Sequence, residues 1–147
     1  MTRKMINPIK EKDNYCSASA GIDSLDKRVL SAIHVIDRNE FIPDKYRKHV
    51  YDKSFVPIGY GQTTPPPFIV DLMTNLAATA SDKVVLEVGT GSGFQSAILS
   101  LLVKKVYTIE VIPGLARTSK NKLRKMGFNN IEVKCGDGYY AERKISL

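Results

Sequence analysis

Apolar and polar positions follow two textures along the chain, with a change near residue 83. In GIDSLDKRVLSAIHVIDRNEFI, Val29, Leu30, Ile33 and Ile36 recur at the spacing of one helix face, with Asp23 or Ser24 placed to cap its start. Residues 40–57 mix polar and aromatic side chains without a period, which predicts short turns. Pro65, Pro66 and Pro67 then open FIVDLMTNLAATA, where Ile69, Met73 and Leu76 form a helical stripe. A proline in the first turn of that helix sacrifices no backbone hydrogen bond. Beyond it, KVVLEVGTGSG is a short β-branched run ending in glycines, GFQSAILSLLV reads as helix, KVYTIEV as strand, residues 113–126 as helix and IEVKCGDG as strand. The alternation βαβαβ predicts an α/β chain with a Rossmann-like parallel sheet and helices on both of its faces.

Composition narrows the function without choosing it. A length of 147 residues suits about one domain. Cys16 and Cys135 stand far apart, and the two histidines fall in a helical pattern (His34) and a charged stretch (His49). That pattern predicts no metal site and no disulfide. The charged MTRKMINPIKEKDNY does not resemble a signal peptide and no apolar run reaches a membrane span, so the expected location is the cytoplasm, away from membranes. The net charge of +7 would suit a nucleic-acid partner, yet its densest cluster, Arg117, Lys120, Lys122, Arg124 and Lys125, alternates with Leu115, Ala116, Leu123 and Met126. It reads as the solvated face of an amphipathic helix, with no aromatic residue to stack a base.

The glycine loop carries the first chemistry. Gly89, Gly91 and Gly93 follow a strand and open a helix, where backbone N–H groups face a ligand that must come close. The third glycine of a dinucleotide pattern would fall at Phe94 or Ser96 and is absent. Glu87, two residues before the loop, would repel a pyrophosphate and suits a ligand with an ammonium group. Glu110 ends the second strand, where a carboxylate can accept both ribose hydroxyls. Asp137 ends the third strand between Gly136 and Gly138, placed to meet an adenine amino group. Ammonium, ribose and adenine together describe S-adenosylmethionine. Thr90, Ser92, Gln95 and Gly138 complete the candidate cofactor-binding set with Glu87, Gly89, Gly91, Gly93, Glu110 and Asp137. The alternative is a Rossmann-like half with capping acids.

VVLEVGTGSGFQSAILSLLVKKVYTIE and GFNNIEVKCGDGYY are similar to the cofactor core of the protein-L-isoaspartate O-methyltransferase family. YDKSFVPIGYGQTTPPPFIVDLM resembles that family's substrate loop, PIGxGQTISxP, and GIDSLDKRVLSAIHVIDRNEFIP its N-terminal helix. The resemblance implies methyl transfer from S-adenosylmethionine to the free carboxylate of an isoaspartyl residue in a damaged protein or peptide, which begins its repair. It also implies a class I methyltransferase fold, with residues 1–20 as a flexible arm, 21–80 as a helical region holding the substrate loop 57–67, and 81–147 as a partial cofactor core. In the loop, Ile58, Gly59, Gly61 and Gln62 match the family.

Two departures from the family bear on activity. The family's loop serine, generally taken as catalytic, falls on Pro65, leaving Thr63 and Thr64 as the nearest hydroxyls and the candidate catalytic pair. Because the acceptor is an ionised carboxylate and the donor a sulfonium, no general base is needed and the change weakens the expectation of activity without removing it. The family also continues beyond the third strand, whereas this sequence reaches GDGYYAERKISL. An incomplete sheet is therefore expected, in the order three, two, one, with KVVLEV at an open edge that would recruit a second copy or a complementing chain. Against the methyltransferase stand a non-catalytic cofactor-binding or degenerate relative and, with less support, a nucleic-acid methyltransferase.

Overall fold

The computed structural model describes residues 26–50, 55–77 and 80–140. The expected arm at 1–20, Cys16 and the caps Asp23 and Ser24 lie outside these residues. Helix α1, Lys27–Val35, is capped instead by Asp26, whose carboxylate accepts the Arg28 N–H at 2.8 Å. Two 3-10 turns follow, Arg38–Phe41 and Asp44–His49. Strands β1, Val56–Gly59, and β2, Gln62–Thr64, form an antiparallel hairpin where the sequence suggested only a loop. Helix α2, Pro67–Leu76, starts on the last of the three prolines. Then come β3, Val84–Val88, α3, Phe94–Ser100, β4, Lys105–Glu110, α4, Pro113–Lys125, and β5, Ile131–Cys135.

The second sheet is parallel in the order β3-β4-β5, the order expected from sequence, and among the described residues β3 pairs only with β4. The register places Val85, Glu87, Val106, Thr108, Glu110 and Val133 on one face and Val84, Leu86, Val88, Tyr107 and Ile109 on the other. The first face is the core. It packs Val106 and Val133 against Phe94, Ala97, Ile98 and Leu102 from α3 and its C-terminal turn, Leu123 of α4, and Val29, Ile33 and Ile36 at α1. Each fully buried aliphatic side chain there contributes about 1.5–3 kcal/mol relative to exposure.

The expectation of helices on both faces does not hold among the described residues. Successive crossovers step the same way across the sheet, and right-handed connections then place α3 and α4 on the same side. On the other face Val84 and Val88 are 47% and 66% exposed. Toward β5 this face becomes polar, where Lys105 and Lys134 pair with Glu132 at 3.1 and 3.5 Å.

Helix α2 corrects a second expectation. Its buried residues are Pro67, Val70, Asp71 and Thr74, while Met73 and Leu76 are each 56% exposed. The hydroxyl of Thr74 returns to the Val70 carbonyl at 2.7 Å and accepts Gln95 Nε2 at 2.8 Å, so a polar contact orients the helix and turns the apolar stripe outward. Helix α4 buries Leu115, Ala116, Ser119 and Leu123 and exposes Arg117, Lys120, Arg124 and Lys125; Met126 lies past its end, exposed. No helix among the described residues is long and apolar enough to cross a membrane.

Candidate active site

The β1–β2 hairpin is built to lie across the glycine loop. Gly59 pairs with Gln62, leaving Tyr60 and Gly61 as a two-residue turn with φ of +53° and +69°. Positive φ at both central residues is the pattern of a type I′ turn, which glycine accepts freely and tyrosine does not. The tyrosine is held by a neighbour: its ring lies where a Cβ on Gly114, in the first turn of α4, would stand. A register shift between Pro57 and Gly59 makes Ile58 the extra residue of a bulge, and a Cβ on Gly91 would come within 3.2 Å of Ile58 Cδ1. Turn tip and bulge thus rest on α4 and on the glycine loop.

The glycine loop itself needs its residues. Gly89, Gly91 and Gly93 have φ of +92°, +54° and +88°, a region costly for any residue with a Cβ. The loop is tied to β4 by the Gly89 N–H donating to the Ile109 carbonyl at 2.8 Å and by the Thr90 and Thr108 hydroxyls, 2.7 Å apart and buried. Glu110 is buried at the end of β4, and its carboxylate accepts the N–H groups of Gly91 at 2.8 Å and Ile112 at 3.0 Å.

Glu87 is half-buried, but its carboxyl is tucked toward the helix, where Ser96 donates a short hydrogen bond to it. Burial pushes its pKa up to about 7; the hydroxyls of Ser96 and Thr108 oppose that rise, and the negative charge of Glu110 adds to it. A carboxyl with a pKa near 7 is part neutral at pH 7, and a nearby cation would favour its charged form. This electrostatic state fits the ammonium partner inferred from sequence.

A cavity of about 310 Å³ joins the two halves of the site. Ile58, Thr63, Thr64 and Pro65 line it from the hairpin side, and Glu87, Gly89, Thr90, Gly91, Ser92 and Gln95 from the glycine-loop side. Thr64 is buried in this wall and Thr63 is exposed. The remaining candidates stand elsewhere. Gly59, Gly61 and Gln62 form the exposed hairpin tip, Gly93 caps α3 against Leu123, and Glu110 sits behind the loop that it holds. Asp137 lies beyond the end of β5, where its carboxylate accepts the Tyr139 N–H at 2.9 Å. Gly138 approaches Val88 so closely that a Cβ would collide with it. Cys135 is a free, exposed thiol, and no group of three or more potential metal ligands occurs among the described residues.

Sequence reasoning missed Ser96, Thr108, Tyr60 and Arg38 as parts of the site. Arg38 is fully buried; its Nη2 donates to the Pro65 carbonyl at 2.7 Å, and its guanidinium lies 5.1 Å from the centre of the Phe94 ring.

Residues 18–145 match the family described as protein-L-isoaspartate(D-aspartate) O-methyltransferase. The chain belongs to that family. It is 46% identical over 138 residues to protein-L-isoaspartate O-methyltransferase 2 of Nitrosococcus oceani, covering 94% of this chain and 63% of that protein. A solved protein-L-isoaspartate O-methyltransferase superposes with a TM-score of 0.76 at 22% identity, over 95% of this chain and 43% of its own. A Plasmodium falciparum chain assigned to the same family, solved in complex with S-adenosyl-L-homocysteine, gives a TM-score of 0.69 at 17% identity, over 97% of this chain and 66% of its own. These likenesses establish the class I methyltransferase fold, and the chain spans less than two thirds of the length of the curated relative.

Proposed function

We propose that the chain carries the donor site and acceptor loop for S-adenosylmethionine-dependent methylation of L-isoaspartyl carboxylates in damaged proteins, the opening step of their repair. The observation that carries this reading is the shared cavity, which sets Thr63, Thr64 and Pro65 of the acceptor loop against Glu87 and the glycine loop. The complex of the Plasmodium falciparum relative with S-adenosyl-L-homocysteine supports the choice of cofactor. The proposed division of the chain has residues 21–80 presenting the acceptor loop and 81–147 holding the cofactor.

The residues present fit the cofactor. Glu87 supplies a carboxylate for its ammonium group. The two N–H donors on Glu110 use one lone pair on each oxygen, leaving acceptor capacity for ribose hydroxyls. Asp137, whose Oδ1 accepts the Tyr139 N–H, is the proposed acceptor for the adenine amino group. When bound, the cofactor supplies a methyl group on a positively charged sulfur. The chain's own work is positional: the hairpin orients the acceptor carboxylate, already ionised at pH 7, and Thr63 and Thr64, which line the cavity, are the proposed residues to hold it. Damaged protein or peptide chains are thus the proposed partners, together with a second copy or complementing chain on the uncovered side of β3.

Pro65 favours a second reading, a cofactor-binding relative without transfer activity, because it has neither the hydroxyl nor the N–H of the family's loop serine. Incubation with methyl-labelled S-adenosylmethionine and an isoaspartyl peptide, beside an RNA, separates these. Label in the peptide alone supports repair methylation. Cofactor binding without label supports the second reading, and label in RNA contradicts both.

A further inference from the structure

Among the described residues Arg38 is the largest fully buried side chain, and it lines neither the donor cavity nor a strand end. Burying a guanidinium is costly unless its donors are directed at strong acceptors, so its contacts indicate what the fold gains. Two of its contacts are the Pro65 carbonyl and the Phe94 ring. The run Pro65–Pro67 has no N–H, so it can be fastened only through its carbonyls. The Pro66 carbonyl is taken by the N–H groups of Ile69 and Val70 at the start of α2, and the Pro65 carbonyl by Arg38. Phe94 follows Gly93 directly and packs edge-on against Phe41, on the same 3-10 turn as Arg38, at 5.5 Å. One side chain therefore joins the exit of the acceptor loop to the exit of the glycine loop.

We propose that Arg38 is a positioning residue that fixes the acceptor loop relative to the glycine loop and so sets the alignment of acceptor with methyl donor. The alignment part rests on the function proposed above; the loop-fixing part does not. Arginine suits both tasks, since its Nη2 donates to the Pro65 carbonyl while its guanidinium carbon stands over the Phe94 ring. Lysine keeps the charge and loses the planar face.

The test compares wild-type chain with Arg38→Lys by amide hydrogen exchange, cofactor calorimetry and methylation kinetics on an isoaspartyl peptide. Exchange at Gln62, Thr63 and Thr64 should rise about tenfold or more, while amides of β4 stay within about twofold. Cofactor affinity should hold, and kcat should fall about tenfold or more with little change in the KM for the cofactor. An equal rise in the hairpin and in β4 would mark Arg38 as general support for the core and overturn the proposal, as would an unchanged hairpin. Should Arg38→Lys fail to fold, Arg38→Gln, which keeps an amide donor but loses the charge and the guanidinium, must produce the same hairpin-confined pattern, or the proposal falls. A wild-type chain that transfers no methyl group defeats the proposed function, and the exchange measurement then decides the loop-fixing role alone.

Discussion

Glu110 holds Gly91: the carboxylate at the end of β4 accepts the loop N–H at 2.8 Å and, through its other oxygen, the Ile112 N–H at 3.0 Å. The acid read from sequence as a ribose acceptor thus first shapes the loop around the ligand. Glu110→Ala should lower cofactor affinity about ten- to a hundredfold, or about 1–3 kcal/mol, by removing loop and ligand contacts together. Titration calorimetry with S-adenosyl-L-homocysteine checks this, and an unchanged affinity would remove Glu110 from the site.

Glu87 predicts opposite pH trends for the free and bound states. Its pKa is raised from 4.5 to about 7, so between these values the folded chain binds more protons than the unfolded chain. This group therefore stabilises the free fold below pH 4.5, and that contribution is lost as pH rises through about 7, by up to about 3 kcal/mol. Glu87→Gln, which mimics the protonated acid, should gain in melting temperature over wild type between pH 5 and pH 8. Cofactor affinity should rise over the same interval in wild type, as the carboxylate becomes available to the ammonium group, and stay flat in the variant. A parallel pH response of the two proteins would contradict the assignment.

Pro65→Ser restores a hydroxyl while keeping the backbone carbonyl that Arg38 holds. Methylation of an isoaspartyl peptide should rise about tenfold, the worth of one orienting hydrogen bond, with cofactor affinity unchanged. Initial rates measured at saturating cofactor decide it; equal rates would show that Pro65 does not limit transfer.

The uncovered side of the sheet predicts association. Val84, Leu86 and Val88 form an exposed apolar row on β3, a strand that pairs on one edge among the described residues. Sedimentation of this chain should depend on concentration, and Val84→Lys with Val88→Lys should shift it toward monomer. A wild-type monomer at all concentrations would show that this side needs no second chain.

The strand and helix pattern from residue 83 onward was legible because β-branched runs and glycines alternate with amphipathic segments, and the strand order followed from the family resemblance. The acids Glu87, Glu110 and Asp137 drew notice in the sequence because each falls at or near the C-terminal end of a predicted strand. What periodicity could not show was direction. Met73 and Leu76 read as a core stripe, yet a hydroxyl contact between Thr74 and Gln95 turns α2 the other way. The exposure of Val84, Leu86 and Val88 was also hidden, since they look the same in sequence whether or not a helix covers them. Arg38 sits between Asp37 and Asn39 in a polar run and carries no local mark of burial; its partners are 27 and 56 positions away. Ser96, one turn into α3, could have been suspected from its spacing to the glycine loop, but its partner Glu87 is known only from the fold.

The most direct test of the account is transfer of labelled methyl groups to two peptides that differ only in containing an isoaspartyl or a normal aspartyl linkage. The account predicts base-labile label in the isoaspartyl peptide, none in its aspartyl twin, and loss of that label in Glu87→Ala. Equal labelling of both peptides, or none in either at full cofactor occupancy, would contradict it.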